Sequence, residues 1–249
     1  MSMIFRDRAE AAARLAQALR QWQGRNPLVL AIPRGAVPMA KVIAETLGGE
    51  LDVVLIRKLP APGSPEFAIG AVDETGWSYI ADYAPQTGAT PDYIARVKAA
   101  EMATMQRRRA QYTPVRPPLD PAGRVTIVVD DGLATGGTAR AALRAVRQHQ
   151  PRRLVFAVPV GTPHAVEALG READEVVCVI QPESMWAVGL WYEDFEADER
   201  RRDAGAPRSP EAGVKTRAPM PHGTCPRIGR ARATAIAADP VPSDGARGL

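Results

Sequence analysis

Two adjacent carboxylates, Asp130 and Asp131, stand directly before a loop rich in glycine and threonine, and a helical pattern follows that loop. Glycines let backbone amides approach a phosphate closely, and a helix N-terminus presents N–H groups that lack partners within the helix. Carboxylates placed one sugar away from such a phosphate suit the vicinal hydroxyls of a ribose 5-phosphate, or a magnesium ion bound to them. In a purely structural alternative, the two aspartates cap the helix and the glycines only turn the chain.

The loop lacks the two other common fingerprints of phosphate binding, Gly-x-x-x-x-Gly-Lys-Ser/Thr and Gly-x-Gly-x-x-Gly. The run Val128 to Thr138 (VVDDGLATGGT) instead resembles the phosphoribosyl-pyrophosphate (PRPP) motif of the type I phosphoribosyltransferases, and the resemblance covers roughly residues 4 to 202. It implies that Asp130 and Asp131 contact the ribose hydroxyls, act in catalysis, and meet Mg²⁺ only indirectly, through bound PRPP. It also implies a phosphate site made of Ala134, Thr135, Gly136, Gly137 and Thr138.

Two further positions resemble the pyrophosphate-binding segments of this family. Arg34 and Gly35 follow an apolar run at a helix entrance, where an arginine fork and free amides can bind an anion. Arg57 and Lys58 close the second apolar run and resemble the basic pair that adenine-type members use on pyrophosphate, with Lys58 also serving catalysis by neutralising the leaving group. In the alternative interpretation, this pair is two solvated charges at a strand end.

A Pro- and Gly-rich stretch, 59–90, has the position of the family's flexible flap, which closes over the reacting centre and shields it from water. Glu66 is the candidate base or cation stabiliser of this flap. In the alternative interpretation, Glu66 is an ordinary surface residue.

An aromatic-rich stretch, 181–197, lies outside the alternating pattern and resembles the hood of the hypoxanthine-guanine members. The resemblance implies that Trp186 stacks on the acceptor base, with Val188 and Asp194 beside it. The alternative is that the aromatic residues of this stretch pack against the sheet.

Alternating strands and helices must position these residues. Apolar runs occur at 28–32, 51–56, 125–129, 154–160 and 176–180, and helical patterns at 6–22, 37–47, 91–111, 138–149 and 163–170. Strands that are apolar on both faces belong to a parallel sheet that is covered on both sides. The expected fold is therefore α/β, an open parallel sheet with helices on both faces, and the family resemblance adds a small hood formed by the chain ends.

One departure from the family leaves the acceptor open. Hypoxanthine-guanine members carry an Asp before the Thr-Gly pair, placed to exchange a proton with the purine, and this chain has Ala134 there. The lysine that reads the 6-oxo group has no evident counterpart either. The resemblance implies transfer of ribose 5-phosphate from PRPP to a nitrogen nucleophile, a nucleobase, with release of pyrophosphate. The alternative is a regulatory protein that senses PRPP or a nucleotide without turnover, because fold does not fix function.

Composition separates a domain over residues 1–202 from a tail. The whole chain has 249 residues, 45% hydrophobic and 24% charged, which is ordinary for a globular protein. The last 47 residues, 203–249, hold seven Pro and six Gly but no aromatic residue, which predicts a disordered tail. With seven Lys/Arg against four Asp/Glu, this tail carries +3 of the net charge of +4, so the domain has no basic excess for nucleic acid.

Cysteine content and hydropathy indicate the compartment. Two cysteines cannot build a disulfide framework, and the sequence has no apolar run long enough to span a membrane. These features favour a cytoplasmic protein without a membrane segment. The family resemblance adds a homodimer as an expectation for the assembly.

Overall fold

The computed structural model describes residues 4–112 and 117–195, so the predicted tail and the predicted domain end at residue 202 lie outside the described residues. The described strands are β1 (Phe5–Asp7), β2 (Leu28–Ala31), β3 (Glu50–Val53), β4 (Ile56–Ala61), β5 (Ser64–Asp73), β6 (Ser78–Ile80), β7 (Val125–Val129), β8 (Arg153–Val160), β9 (Glu175–Ile180) and β10 (Tyr192–Asp194). The described α-helices are α1 (Arg8–Ala18), α2 (Ala36–Leu47), α3 (Pro91–Tyr112), α4 (Gly137–Gln148) and α5 (Pro163–Leu169).

The central sheet has five parallel strands in the order β3-β2-β7-β8-β9. Every residue of β7 is buried, because helices cover both faces of the sheet. Side chains alternate between the faces: Ile127 and Val129 pack in the core with α1 and α2, whereas Val128 packs in the core with α4 and α5. The predicted fold class, an open parallel α/β sheet covered on both sides with a small additional hood, is confirmed.

The sequence predicts that the second apolar run forms one strand up to residue 56. The structure instead divides this run between two strands. Strand β3 ends at Val53, and Ile56 begins β4 of a separate antiparallel sheet with the order β4-β5-β6. The prediction that Arg57 and Lys58 close the second strand is therefore wrong, because both lie within β4. The chain stays apolar across the boundary because Leu55, between the two strands, is buried in the core.

The stretch 59–90 contains more regular structure than the sequence indicates. Residues up to Ile80 belong to the antiparallel sheet, and a 3₁₀ turn follows at Ala84–Thr87. Helix α3 covers one face of this sheet and contributes the buried Met105, while α4 lies on the side of the sheet that carries Lys58. The first part of the segment predicted as the flap, up to Ile80, therefore lies in the antiparallel sheet.

The two ends of the described chain meet in the hood. Strands β1 and β10 pair in parallel, with Phe5 opposite Tyr192 and their ring centres 5.5 Å apart. Asp7 caps α1 by accepting a hydrogen bond from the N–H of Glu10 at 2.8 Å, so that α1 begins directly after the strand. In the described part of the chain, no helix has the length and apolar character that crossing a membrane requires.

Candidate active site

The carboxyl end of β7 carries the acidic pair and the predicted phosphate loop. Leu133 is buried and bridges to Gly161 after β8, which fixes the middle of the loop. Gly136 has a φ of 71°, a left-handed conformation that lets the chain turn into α4. Ala134 and Thr135 are exposed ahead of this turn. The loop therefore presents its backbone and hydroxyl groups to solvent at the N-terminus of a helix, where an anion is favoured.

The loop after β2 lies against the acidic pair because β2 and β7 are neighbouring strands. A Cβ atom built onto Gly35 would lie 1.9 Å from Oδ2 of Asp131, so the backbone at residue 35 and the carboxylate are in direct contact. Arg34 is exposed beside this contact, and the Pro33–Arg34 peptide bond is cis. The predicted pyrophosphate segment and the predicted ribose carboxylates are thus adjacent.

Residues of the hood hold Asp131 from two directions. The Arg8 guanidinium donates to Oδ2 of Asp131 through Nε and Nη2, at 3.2 and 2.9 Å. The hydroxyl of Tyr192 donates to the backbone carbonyl oxygen of Asp131 at 2.6 Å. Burial raises the pKa of Tyr192, which keeps this hydroxyl protonated as a donor. The second carboxylate of the motif is therefore anchored to both ends of the described chain.

Asp130 has a strongly perturbed carboxyl group. Burial, and next the charge of the adjacent Asp131, raise the pKa of Asp130 from its ordinary value of 3.8 to about 7. The N–H of Asp131 donates to Oδ1 of Asp130 at 2.9 Å and acts in the opposite direction. Asp130 is therefore poised to change its charge near neutral pH, whereas Asp131 has a cationic partner.

The two basic residues of β4 point to opposite faces of the antiparallel sheet. A Cβ on Gly137 would lie 3.9 Å from Nζ of Lys58, so the Lys58 ammonium is next to the start of α4 and the phosphate loop. Nε of Arg57 instead donates to Glu101 of α3 at 2.5 Å. The structure brings Lys58 to the phosphate loop but does not bring the Arg57 guanidinium there.

The predicted base-binding residues have different surroundings. A Cβ on Gly132 would lie 2.2 Å from Cγ1 of Val188, so Val188 packs directly beside the acidic pair. Trp186 is 93% exposed, so the alternative in which it packs against the sheet is wrong. Asp194 lies opposite Asp7 in the strand pair of the hood.

The predicted flap residue Glu66 lies on strand β5 of the antiparallel sheet. Its side chain is exposed, and it makes no hydrogen bond or ion pair with the residues that the structure describes. In this part of the chain, no hydrogen bond or ion pair joins Glu66 to the acidic pair.

Sequence reasoning missed two residues that contact Asp131, Arg8 and Tyr192. Arg8 does leave a signal, because it stands in the first turn of α1, where the helix dipole disfavours a cation. Tyr192 lies among the aromatics of the hood, and the sequence pattern does not separate a hydrogen-bonding tyrosine from a packing one.

The carboxylate oxygens of the acidic pair are donors that fit magnesium brought by a substrate. In the described ranges there is no group of three or more His, Cys, Asp or Glu side chains that could hold a metal ion. Carboxylate oxygens are nevertheless the ligands that Mg²⁺ prefers, and the ion is commonly bound through one or two of them together with substrate phosphates. Asp130 and Asp131 place carboxylate oxygens beside the two loops suited to anions.

This edge of the sheet combines two loops suited to anions with carboxylates that can accept hydrogen bonds from hydroxyl groups. Such an arrangement is expected of a protein that binds a phosphorylated sugar. A family model described as "Phosphoribosyl transferase domain" matches residues 2–194, and the chain belongs to this family.

Relatives of known sequence carry the same family name, and one solved structure is similar to this chain. Two provisionally named phosphoribosyl transferases of Mycobacterium tuberculosis, Rv0571c (strain H37Rv) and MT0597 (strain CDC 1551 / Oshkosh), are each 39% identical over 194 residues. The match covers 77% of this chain but only 44% of each relative, so the chain spans less than half their length. The crystal structure of TT1426 from Thermus thermophilus is 47% identical with a TM-score of 0.69, covering 77% of this chain and 91% of that one.

Proposed function

We propose that this protein is a phosphoribosyltransferase that moves the ribosyl 5-phosphate group of PRPP to a nitrogen nucleophile, a nucleobase, with release of pyrophosphate. The observation that carries the proposal is the contact between Gly35 and Asp131. It joins the loop proposed for pyrophosphate to the carboxylates proposed for ribose. One PRPP molecule can therefore reach both loops at once, with its 5-phosphate at the start of α4.

The 5-phosphate end of PRPP meets the loop before α4. The amides and hydroxyls of residues 134–138 bind the phosphate, because a helix N-terminus favours an anion. Lys58 adds a positive charge at the start of the helix and is also proposed to neutralise the leaving pyrophosphate. The side chains of Thr135 and Thr138 contribute hydroxyl donors without adding charge.

The reacting end of PRPP meets the acidic pair and the loop after β2. Asp130 and Asp131 accept hydrogen bonds from the two ribose hydroxyls and stabilise the positive charge that develops on the ribosyl carbon. Arg34 and the amide of Gly35 bind the pyrophosphate that leaves, and the guanidinium fork suits its oxygens.

Magnesium belongs to this proposal as an ion that enters with PRPP. When bound, it neutralises pyrophosphate oxygens and so stabilises the charge that builds up on the leaving group. Asp130 and Asp131 would meet it only indirectly, through bound PRPP. Because Asp130 has a raised pKa, its carboxylate form becomes more available as the pH approaches neutrality.

The acceptor enters from the hood side. Val188 contacts Gly132 behind the acidic pair, and the exposed Trp186 offers a free aromatic face for a base to stack on. Asp194 is the proposed polar contact to the base.

Closure of the segment 59–90 completes the proposed site. Movement of this segment, with Glu66 on its longest strand, would shield the ribosyl cation from water. The cytoplasmic location and the homodimer stay predictions from the sequence.

The test is pyrophosphate release from PRPP and Mg²⁺ by the full chain across a panel of purine and pyrimidine bases. Release that depends on one base, and that yields the matching nucleotide, supports the proposal and names the acceptor. Tight PRPP binding without release on any base would contradict the transferase and favour the sensing alternative. A chain with Thr135 and Thr138 both changed to Ala serves as the matched negative control, because it loses hydroxyl donors to the 5-phosphate without changing charge.

A further inference from the structure

Arg8 is a buried arginine of the hood whose polar contacts converge on the acidic pair and the adjoining chain end. Both Nε and Nη2 donate to the same oxygen of Asp131, Oδ2. Nη1 donates to the carbonyl oxygen of Phe195, and the guanidinium carbon lies 3.9 Å from the centre of the Phe195 ring. Only 8% of the Arg8 side chain is exposed. A guanidinium so far removed from water requires a carboxylate partner, and Asp131 is that partner.

These contacts give the two oxygens of the Asp131 carboxylate different surroundings. Oδ2 is occupied by Arg8 and lies against Gly35, whereas Oδ1 accepts no hydrogen bond from residues 4–112 or 117–195. The backbone of Asp131 is held at the same time by the Tyr192 hydroxyl. With the backbone and one oxygen both fixed, rotation of the carboxylate is restricted, and Oδ1 keeps one direction.

We infer that Arg8 is a positioning residue for PRPP, which holds Asp131 so that Oδ1 accepts a hydrogen bond from a ribose hydroxyl. This inference rests on the proposed function and adds to it a residue outside the PRPP motif. Because the Arg8 guanidinium contacts Phe195 in the hood, it ties the acceptor side of the site to the ribose side.

The placement of Arg8 in the sequence agrees with this role. It is in the first turn of α1, where an acidic residue would be favoured and a cation is disfavoured by the helix dipole. Arg14, on the same helix, lies over the Phe5 ring at 4.7 Å and is partnered by Glu10 at 3.9 Å, with no contact to Asp131 in the described part of the chain. Comparing variants of Arg8 and Arg14 therefore distinguishes a general effect of positive charge on α1 from a specific effect of Arg8 on Asp131.

The experiment is a double-mutant cycle read by calorimetric titration of the full chain with PRPP and Mg²⁺. Arg8→Gln is expected to weaken PRPP binding about ten- to a hundredfold, the range for losing a charged hydrogen-bonded pair. In the Asp131→Asn background the same change is expected to cost less than about twofold, because Arg8 acts through Asp131. Arg8→Lys should recover part of the affinity, since lysine keeps the charge but not the fork. Binding of magnesium pyrophosphate, which has no ribose, should change less than about twofold in Arg8→Gln.

Two control variants test whether the loss of a positive charge from α1, or the loosening of the hood, accounts for the effect of Arg8→Gln. Arg14→Gln removes one positive charge from α1 and is expected to keep PRPP affinity within about twofold. Phe195→Leu removes the ring under the guanidinium and loosens the hood while the ion pair stays, and it is also expected to retain PRPP binding. If Arg8→Gln fails to fold, Arg8→Lys carries the same cycle.

Four outcomes overturn the inference: wild-type PRPP affinity in Arg8→Gln, a loss that persists in full in the Asp131→Asn background, a loss in Phe195→Leu as large as that in Arg8→Gln, or a weakening of magnesium pyrophosphate as large as that of PRPP. Each of these outcomes leaves the proposed function standing if the wild-type chain binds PRPP. A wild-type chain that does not bind PRPP overturns the proposed function and the inference together.

Discussion

The backbone of Gly35 lies against the carboxylate of Asp131, with no room for a side chain between them, since a methyl group on residue 35 would lie 1.9 Å from Oδ2. The contact crosses from the loop after β2 to the loop after β7. These two strands pair in parallel, with Ala31 opposite Val129 at their carboxyl ends. The two loops meet because these strand ends are adjacent.

A side chain at residue 35 should disrupt this contact. Gly35→Ala is expected to displace the Asp131 carboxylate, to weaken PRPP binding at least about tenfold, and to lower the free energy of unfolding by about 1–3 kcal/mol, as overpacking does. Calorimetric titration and urea unfolding measure the two effects. Gly170→Ala is the control, because its φ of −58° is accessible to alanine and a Cβ there would lie 3.2 Å from the Glu167 carbonyl oxygen, a far milder contact than at residue 35. Wild-type PRPP affinity in Gly35→Ala would show that the contact has no part in binding.

The two basic residues of β4 should separate in their effects. Lys58→Met is expected to weaken PRPP binding about tenfold or more, because the Lys58 ammonium lies beside the phosphate loop. Arg57→Met should change PRPP affinity much less, since its guanidinium is paired with Glu101 of α3. Titration of both variants with PRPP and Mg²⁺ provides the comparison. Equal losses would mean that Arg57 leaves Glu101 and joins the pyrophosphate site when PRPP binds.

Asp130 should make stability depend on pH. Its pKa is raised from 3.8 to about 7 in the folded protein, so between about pH 4 and pH 7 the folded state holds a proton that the unfolded state has lost. The free energy of unfolding should therefore fall as the pH rises through this window, by at most roughly 4 kcal/mol at about 1.4 kcal/mol per pKa unit. Asp130→Asn should flatten this slope and be more stable than the wild type at about pH 8. Urea unfolding at about pH 5 and pH 8 measures it, and parallel slopes would exclude Asp130 as the titrating group.

Trp186 should affect the acceptor and not the fold. Its side chain is 93% exposed, so Trp186→Ala is expected to change the free energy of unfolding by less than about 0.5 kcal/mol. PRPP affinity should be unchanged, while the concentration of base needed for half-maximal pyrophosphate release should rise. Steady-state kinetics on whichever base supports release measures this. An unchanged dependence on the base would remove Trp186 from the acceptor site.

Much of the fold could be predicted because the central strands are buried on both faces. The run Val125–Val129 is apolar at nearly every position, which is typical of an inner strand of a parallel sheet, and the order of strands and helices then follows. The boundary between β3 and β4 could not be predicted, because Val54 and Leu55 form one continuous apolar stretch with Val53 and Ile56 on either side. No polar or turn residue marks the place where the chain changes sheets.

The residues of the site could be predicted where they lie in one short segment of the sequence. They could not be predicted where the site is formed by contacts between distant segments. The acidic pair and the glycines stand together in sequence, so the motif can be recognised directly. The contact of Arg8 with Asp131 joins residues 123 positions apart, and only the packing of the hood brings them together. The opposite directions of Arg57 and Lys58 depend on both residues lying within one strand, which the sequence pattern does not indicate.

The most direct test of the central claim is a calorimetric titration of the full chain with PRPP and Mg²⁺, beside the variant with Asp130→Asn and Asp131→Asn. We predict that the wild type binds PRPP and that the double variant loses most of this affinity while still binding magnesium pyrophosphate. Equal PRPP affinity in the two proteins would contradict the assignment of the acidic pair to the ribose.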